Sequence, residues 1–249
     1  MKRLLLPTLL LLGGLSIAEQ WTDHKGLTMT FRDLKALASG KIERNVSMVG
    51  DVKVESTPQG LRMTSDTMDI HAVPDSKNTK SYVIQHALAT GHVVILKEVA
   101  GKAGKQTTRI EGTKADYATG LTESMVKMAG PVKMQSLDSQ HAQTMVATGN
   151  SGVATLEPLN KTNLDSGLKT AAIDGSAHLA LTQIDPKTHA ASTIRTTSDH
   201  MVLENQPMGQ KITLTGHVHI TSDSDFDWTG IDRVVFFVDK DGNVKIGEK

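Results

Sequence analysis

Cysteine is absent from the 249-residue chain, and aromatic residues make up only 3% of it. Without cysteine there are no disulfides, thiolate metal ligands, cysteine nucleophile or lipid-modified cysteine. With few aromatics, the core must be built from Val, Ile, Leu, Met and Ala, and a stacking surface for bases or sugars is disfavoured. Basic and acidic residues balance at 27 each, so no basic surface predicts nucleic-acid binding.

The N-terminus has the pattern of a secretory signal peptide. Lys2-Arg3 precedes an apolar run over Leu4–Leu12, and Ser16–Ala18 supplies the small residues that signal peptidase recognises. We therefore predict a signal peptide over residues 1–18 and a mature chain over 19–249. The alternative is an uncleaved inner-membrane anchor, although the apolar stretch has about 15 residues where a full span needs about 20.

A short phrase centred on glycine recurs at intervals of 41, 39, 45 and 41 residues, at Gly50, Gly91, Gly130, Gly175 and Gly216. Apolar and polar residues alternate around these glycines with a period of two, strongly at four of the five places. This period is typical of antiparallel strands with one buried face. Around Gly91 both faces are apolar.

One set of residues from these strands is predicted to face inward, on the side of the sheet away from water. They are Val46, Met48, Val52, Val54, Val93, Ile95, Val126, Met128, Val132, Met134, Ile212, Leu214, Val218 and Ile220.

Further strands are predicted between the glycine phrases, over Leu61–Ile70, Thr107–Tyr117 and Ser192–Leu203. Phe31–Leu37 fits an amphipathic helix or a strand. The predicted fold class is all-β. We expect about 15 or more short strands, stacked antiparallel, with a repeat of about 40 residues.

A glycine inside a strand usually marks a bulge, a corner or a close approach of another chain segment. Here each glycine also takes the place of one predicted inward side chain. The row of glycines is therefore either a corner where the sheet folds over or a line of gaps in the interior. Pro131, directly after Gly130, favours a bulge at that place.

A propeller is disfavoured, because its blades need four strands each and the Trp-Asp signature is missing. The segments KADYATGLTESMVKMAGPVKM (114–134) and SDHMVLENQPMGQKITLTGHVHI (198–220) each place a turn before an alternating strand with G-x-V-x-apolar. These segments resemble the OstA-like repeat of periplasmic lipopolysaccharide-transport proteins of the LptA and LptC type. The resemblance covers most of residues 31–221.

The resemblance implies a twisted, open β-jellyroll that holds acyl chains between its two sheets, in the periplasm. It further implies binding of lipopolysaccharide or a related glycolipid, with the fourteen inward residues named above as its lipid contacts. Other transport components, or further copies of the chain, would join by edge-strand addition. The chain is longer than one short LptA-like domain, so it could be one extended jellyroll or two fused copies. It could act as the bridge between the membranes, like LptA, or as a membrane-anchored component, like LptC.

No enzyme motif is found in the sequence, and no cofactor or metal is predicted. His217 and His219 lie on one strand without an obvious third ligand, and Asp239 begins a calcium-like loop that lacks its later ligands. The loop at 101–107 lacks phosphate-loop spacing. We expect a non-enzymatic protein; the alternatives are a structural envelope or surface β-repeat protein without lipid, and an enzyme acting on envelope polysaccharide.

Overall fold

The structure of the chain is a computed structural model. It describes residues 19–22, 27–39, 43–56, 61–75, 78–100, 105–119, 123–138, 143–156, 168–184, 187–206, 208–223, 227–239 and 243–247. The predicted signal peptide over residues 1–18 lies outside the described residues, as does most of the loop at 101–107.

Fourteen strands make up nearly all of the described chain. They are β1 Glu19–Thr22, β2 Leu27–Phe31, β3 Asp33–Ser39, β4 Arg44–Ser56, β5 Leu61–Asp75, β6 Asn78–Ala100, β7 Lys105–Thr119, β8 Ser124–Asp138, β9 Gln143–Leu156, β10 Thr170–Ile184, β11 Ala191–Gln206, β12 Gly209–Ser222, β13 Asp227–Asp239 and β14 Val244–Gly247.

The strands form one antiparallel sheet in chain order, so the all-β prediction is confirmed. β2 and β3 both pair with β4 and are separated by Arg32 alone, so together they fill one strand position. The sheet is open, because β1 and β14 do not pair with each other in the described parts of the chain. Hydrogen bonding continues from strand to strand along the whole sheet.

Two features of the strands differ from the sequence expectation. The strands are longer than predicted, up to 23 residues in β6, because pairing continues beyond the predicted limits, as in β5, which extends past Ile70 to Asp75. The segment Phe31–Leu37, for which a helix and a strand were both open, lies in β2 and β3. The described ranges contain no helix, and therefore none that could cross a membrane.

Burial alternates along the strands, as period-two patterning requires. In β12, for example, Ile212, Leu214, Val218 and Ile220 are fully buried while the residues between them are half-buried or exposed. The buried side chains of successive strands form a single cluster running from β2 to β13. We call this buried side of the sheet the inner face and the opposite side the outer face.

The five recurring glycines all lie at bulges, which confirms that part of the sequence prediction. Gly50, Gly91, Gly130, Gly175 and Gly216 have φ between +72° and +85°, a region that favours glycine because it carries no Cβ. They fall on β4, β6, β8, β10 and β12, every second strand. At each one the register of pairing with a neighbouring strand shifts.

The interpretation of these glycines as a line of interior gaps is wrong. A Cβ at any of the five would come within 2.1–2.8 Å of a polar side chain on the preceding strand position. These side chains are Arg32 beside Gly50, Asp66 beside Gly91, Thr113 beside Gly130, Asn150 beside Gly175 and Asp199 beside Gly216. All five are exposed, so each bulge is filled from the outer side. We call this row of glycines and facing polar residues the bulge line.

Candidate functional site

The inner face contains the residues that the sequence pattern predicted to point inward. Thirteen of the fourteen are at most 4% exposed. The exception is Val46, near the start of β4, which is half-buried and packs against the cluster from its margin. Burial on one face is therefore established for the predicted set, and lipid contact by these residues stays a prediction.

Methionine is unusually frequent on the inner face. Eight methionines are buried there, including Met48, Met68 and Met201 at 0% exposure. Methionine is unbranched and polarizable, so it adapts to irregular or changing surroundings better than a branched side chain does. The inner face is therefore more adaptable than one built from branched side chains alone.

Several inner-face residues were not identified from the sequence. β9 buries Met145, Ala147 and Ala154, and β13 buries Val234 and Phe236. The alanines of β9, together with Gly149 and Gly152 on the same strand, give only a weak apolar alternation. The apolar run VVFF in β13 could have identified Val234 and Phe236.

A small cavity of about 20 Å³ opens onto the inner face, with room for roughly one water molecule. Val126 and Ser136, both on β8, line this cavity, and so do Met145 and Leu156, both on β9. A straight ten-residue stretch of strand spans about 33 Å, too far for its two ends to meet at one such cavity. Val126 and Ser136 lie on opposite sides of the bulge at Gly130, yet both line this cavity.

Five polar side chains near the ends of the strands line this cavity together with apolar ones. Lys97, Thr108 and Ser136 line one side, and Asn205 and Gln210 line another. We call these five residues the mouth. Lys97 is half-buried, and burial lowers the pKa of its ammonium group from the usual value of 10.5, because desolvation disfavours the charged form.

Ion pairs follow the bulge line on the outer side. Arg32 contacts Asp51 at 2.7 Å, and His92 contacts Asp66 at 2.8 Å. His217 contacts Asp199 at 2.8 Å, and the hydrogen bond with that carboxylate raises the pKa of the imidazole. These side chains are largely exposed, so the ion pairs add little stability. Each ion pair holds in place a side chain that fills a bulge or directly follows one.

The other candidate metal ligands from the sequence form hydrogen bonds or ion pairs with nearby groups. His219 contacts Asp227 at 2.7 Å, so His217 and His219 each face a different carboxylate. Asp239 accepts a hydrogen bond from the backbone N–H of Asn243 at 2.9 Å, as in a hairpin turn. Within the described ranges, no group of three or more His, Asp or Glu side chains is placed to hold a metal ion.

The outer face also has an open depression of about 330 Å³, across β9 to β12. His178, Arg195 and His219 contribute to its wall. Arg195 contacts Asp223 at 2.6 Å and lowers the pKa of that carboxyl group. Two of the three basic groups therefore already face carboxylates of the same sheet, and the depression is a weaker candidate than the inner face.

Comparison of the chain with known protein families, with curated proteins and with solved structures finds no match in any of the three.

Proposed function

We propose that the sheet is a two-layer β-jellyroll, folded over along the bulge line so that its inner face is enclosed between the two halves of each strand. Two observations support this architecture: residues from both halves of β8 and β9 line one cavity, and the inner face is buried although the described chain forms only one sheet. Bulges at every second strand supply the bend, because a bulge locally kinks its strand.

The function we propose is non-enzymatic binding and transfer of lipopolysaccharide or a similar glycolipid, with the acyl chains held between the two layers. The observation that carries this proposal is the continuous, methionine-rich inner face, which extends across the strands from β2 to β13 and ends in a polar mouth. An apolar slot with a polar opening matches an amphipathic ligand.

In this proposal the layers separate when lipid enters. The cavity of about 20 Å³ does not hold an acyl chain, so bound lipid must displace contacts between the layers. Each methylene of the chain that leaves water contributes about 0.8 kcal/mol, which offsets the loss of those contacts. Methionine side chains lower the cost of rearrangement, since they adopt many conformations.

The proposed location is the periplasm, between the inner and outer membranes, with transport driven by partner proteins. The sheet edges are the proposed contact sites. β14 pairs only with 235–238 of β13, so the 227–234 segment of β13 has no strand on that side within the described chain. Edge strands with free N–H and C=O groups can accept another strand.

A second candidate is a structural envelope protein whose interior stays closed. Its supporting observation is the close packing of the inner face, where Met48, Val52, Leu214 and Ile220 are all 0% exposed. The two candidates make opposite predictions about access of lipid to these residues.

Photo-cross-linking separates these candidates. A photoreactive residue is placed at Met128 or Val218 on the inner face, and at Lys53 or His217 on the outer face as matched controls. With lipopolysaccharide present, we expect adducts from the two inner positions and not from the two outer ones. Equal labelling of both faces, or no labelling at all, would contradict the lipid slot and favour the closed structural protein.

A further inference from the structure

The outer face carries a mostly apolar row of residues that crosses the sheet from β9 to β13. In that row Val153 on β9 lies opposite Ala172 on β10, and Ala172 lies opposite Val202 on β11. Thr213 on β12 lies between Val202 and Val235 of β13. These five residues alternate with the buried residues of the same strands, so they belong to the outer face. We call them the stripe.

Larger apolar side chains border both ends of the stripe. Met125 on β8 is 36% exposed, as is Val153, and Met125 is two residues from Lys127, which lies opposite Val153. At the other end, Phe237 follows Val235 by two residues and is half-buried. Apolar side chains therefore face outward on five of the six strands from β8 to β13. At ~4.8 Å between strands, these six strands span about 24 Å.

Three exposed cations lie along the stripe. Lys127 lies opposite Val153, Lys245 on β14 lies opposite Phe237, and Arg233 is on β13 in the row next to the stripe. In the part of the chain that the structure describes, none of these three cations forms an ion pair. Their charges are therefore available to an anionic partner.

The balance of charge around the stripe is positive. From β8 to β14, the stripe and the rows on either side of it contain four lysine or arginine side chains and two carboxylates. Each of the two carboxylates contacts a base of the same face: Asp174 contacts His200, and Glu204 contacts Lys211. Asp116 on β7, opposite Lys127, contacts His86 at 2.8 Å. This surface therefore has an excess of cations, although the chain as a whole has no net charge.

The stripe lies one row away from residues that adjoin the mouth. Gln210, a mouth residue, directly precedes Lys211 on β12, and Asn205, another mouth residue, directly follows Glu204 on β11. Glu204 and Lys211 lie opposite each other, in the row next to the stripe. A surface that contacts the stripe would therefore also lie beside the opening of the inner face.

We propose that the stripe and its flanking cations dock the chain on the surface of an anionic lipid bilayer. Surfaces that lie in the bilayer interface combine apolar side chains with lysine and arginine at their border, as where Phe237 lies between Lys211 and Lys245. Anionic lipids attract each such cation within a Debye length of the surface. A protein partner fits less well, because protein interfaces depend on large anchors such as Trp, Tyr and Arg seated in pockets, and the stripe is mainly valine and alanine.

This docking goes beyond the proposed function and does not require lipid between the layers. Where both hold, docking places the mouth beside the bilayer from which an amphipathic ligand enters.

Co-sedimentation with lipid vesicles tests the charged part of the docking surface. The chain is used without the predicted signal peptide, because that apolar run would itself insert into vesicles. One set of vesicles contains phosphatidylglycerol with phosphatidylcholine, and the other contains phosphatidylcholine alone. The variant Lys127→Gln/Lys245→Gln should weaken binding to the anionic vesicles by about tenfold to thirtyfold, at roughly fivefold for each cation near an anionic surface. Lys35→Gln/Lys133→Gln removes the same charge from exposed positions away from the stripe and should bind like the unmodified chain.

A second pair of variants tests the apolar part. Met125 and Leu137 are both exposed on β8, on opposite sides of Gly130. Met125→Gln should weaken binding to the anionic vesicles by about threefold to tenfold, since it removes apolar surface from the bilayer interface. Leu137→Gln should leave binding within about twofold of the unmodified chain.

Three outcomes would overturn the docking surface. Equal losses in the two double variants would show a general attraction of the whole chain to anionic lipid. Equal binding of the unmodified chain to both kinds of vesicle would assign the contact to apolar insertion without the cations. Failure of the unmodified chain to bind anionic vesicles would leave an acidic protein as the partner of this surface. None of these results decides the lipid slot, which the photo-cross-linking experiment tests separately.

A labelling experiment covers the case in which a double variant does not fold. Met125→Cys and Leu137→Cys each create a single labelling site, because the chain has no cysteine. An environment-sensitive fluorophore on Met125→Cys should shift its emission to shorter wavelength when phosphatidylglycerol vesicles are added, and the same fluorophore on Leu137→Cys should not. Equal shifts at both positions, or a shift at neither, would overturn the docking surface.

Discussion

The inner face and the bulge line run across the same strands but are built in opposite ways. The inner face consists of apolar side chains, many of them 0% exposed, and its alternation continues from β4 to β13. The bulge line consists of glycines at positive φ faced by exposed polar residues of four different types. The comparison separates two requirements: the inner face keeps apolar side chains away from water, and the bulge line is where the pairing register shifts.

The largest loss of stability is expected from a substitution on the inner face. Leu214 is 0% exposed and Met208, just before the same strand, is 71% exposed. Leu214→Ala should lower the free energy of unfolding by about 2–5 kcal/mol, because it removes buried methyl groups and leaves a cavity. Met208→Ala should change it by less than about 0.5 kcal/mol. Urea unfolding of both variants measures the contrast, and similar losses would contradict the burial of one face.

The next largest loss of stability is expected at Gly91 on the bulge line, compared with Gly230 on β13, which has a similar φ but different surroundings. Gly91 has φ +72°, and a Cβ there would lie 2.2 Å from Oδ2 of Asp66; Gly230 has φ +73° and nothing within 4 Å. Gly230→Ala should cost only the left-handed strain, about 1–2 kcal/mol. Gly91→Ala should cost more, since Asp66 must also move. Equal losses in urea unfolding would show that close packing at the bulge is unimportant.

A smaller effect is expected at the mouth, where the polar row borders the apolar one. Because burial lowers the pKa of Lys97 from 10.5, the unfolded chain binds more protons than the folded chain between the lowered value and 10.5. Stability of the unmodified chain should therefore rise with pH through that window, relative to Lys97→Met. Urea midpoints of the two proteins from neutral pH upward measure this difference, and a constant difference would contradict the desolvation of Lys97.

The smallest effect is expected for the exposed pair at the bulge line. The carboxylate of Asp199 raises the pKa of His217, so the stability from this pair is present below about pH 6.5 and is lost as pH rises through the raised value. Asp199→Asn should return the pKa of His217 toward 6.5 while the fold stays intact. NMR titration of the imidazole measures the pKa of His217 in both proteins. An unchanged pKa in Asp199→Asn would show that Asp199 does not raise it.

Much of the strand pattern could be predicted from the sequence, because alternation is strong where the inward residues are large. Met134 and Leu214 are examples, each flanked by polar neighbours. β9 escaped prediction because its inward positions include Ala147 and Gly149, and small side chains give little hydrophobic contrast. The strands are longer than predicted because backbone pairing continues past the alternating part of the sequence, as where β5 extends from Ile70 to Asp75.

The mouth could not be predicted from the sequence. Lys97 has the same parity as the inward Ile95, but its relation to Thr108 and Ser136 depends on the register of three strands. Lys97 and Asn205 line the same cavity although they are more than a hundred positions apart in the sequence, and the sequence pattern does not predict that proximity. The bulge at each glycine could be predicted, whereas the polar side chain beside it could not, since a residue such as Asp66 lies some 25 positions away from its glycine along the chain.

The central claim is that the sheet folds along the bulge line and opens to take up lipid. Met125 and Leu137 are exposed residues near the two ends of β8, and a straight strand would place them about 40 Å apart. Because the chain has no cysteine, Met125→Cys and Leu137→Cys introduce the only two sites for spin labels. Pulsed electron paramagnetic resonance should give a distance well below 40 Å without lipid and a longer one with lipopolysaccharide bound. A distance near 40 Å without lipid, or one that bound lipid leaves unchanged, would contradict the account.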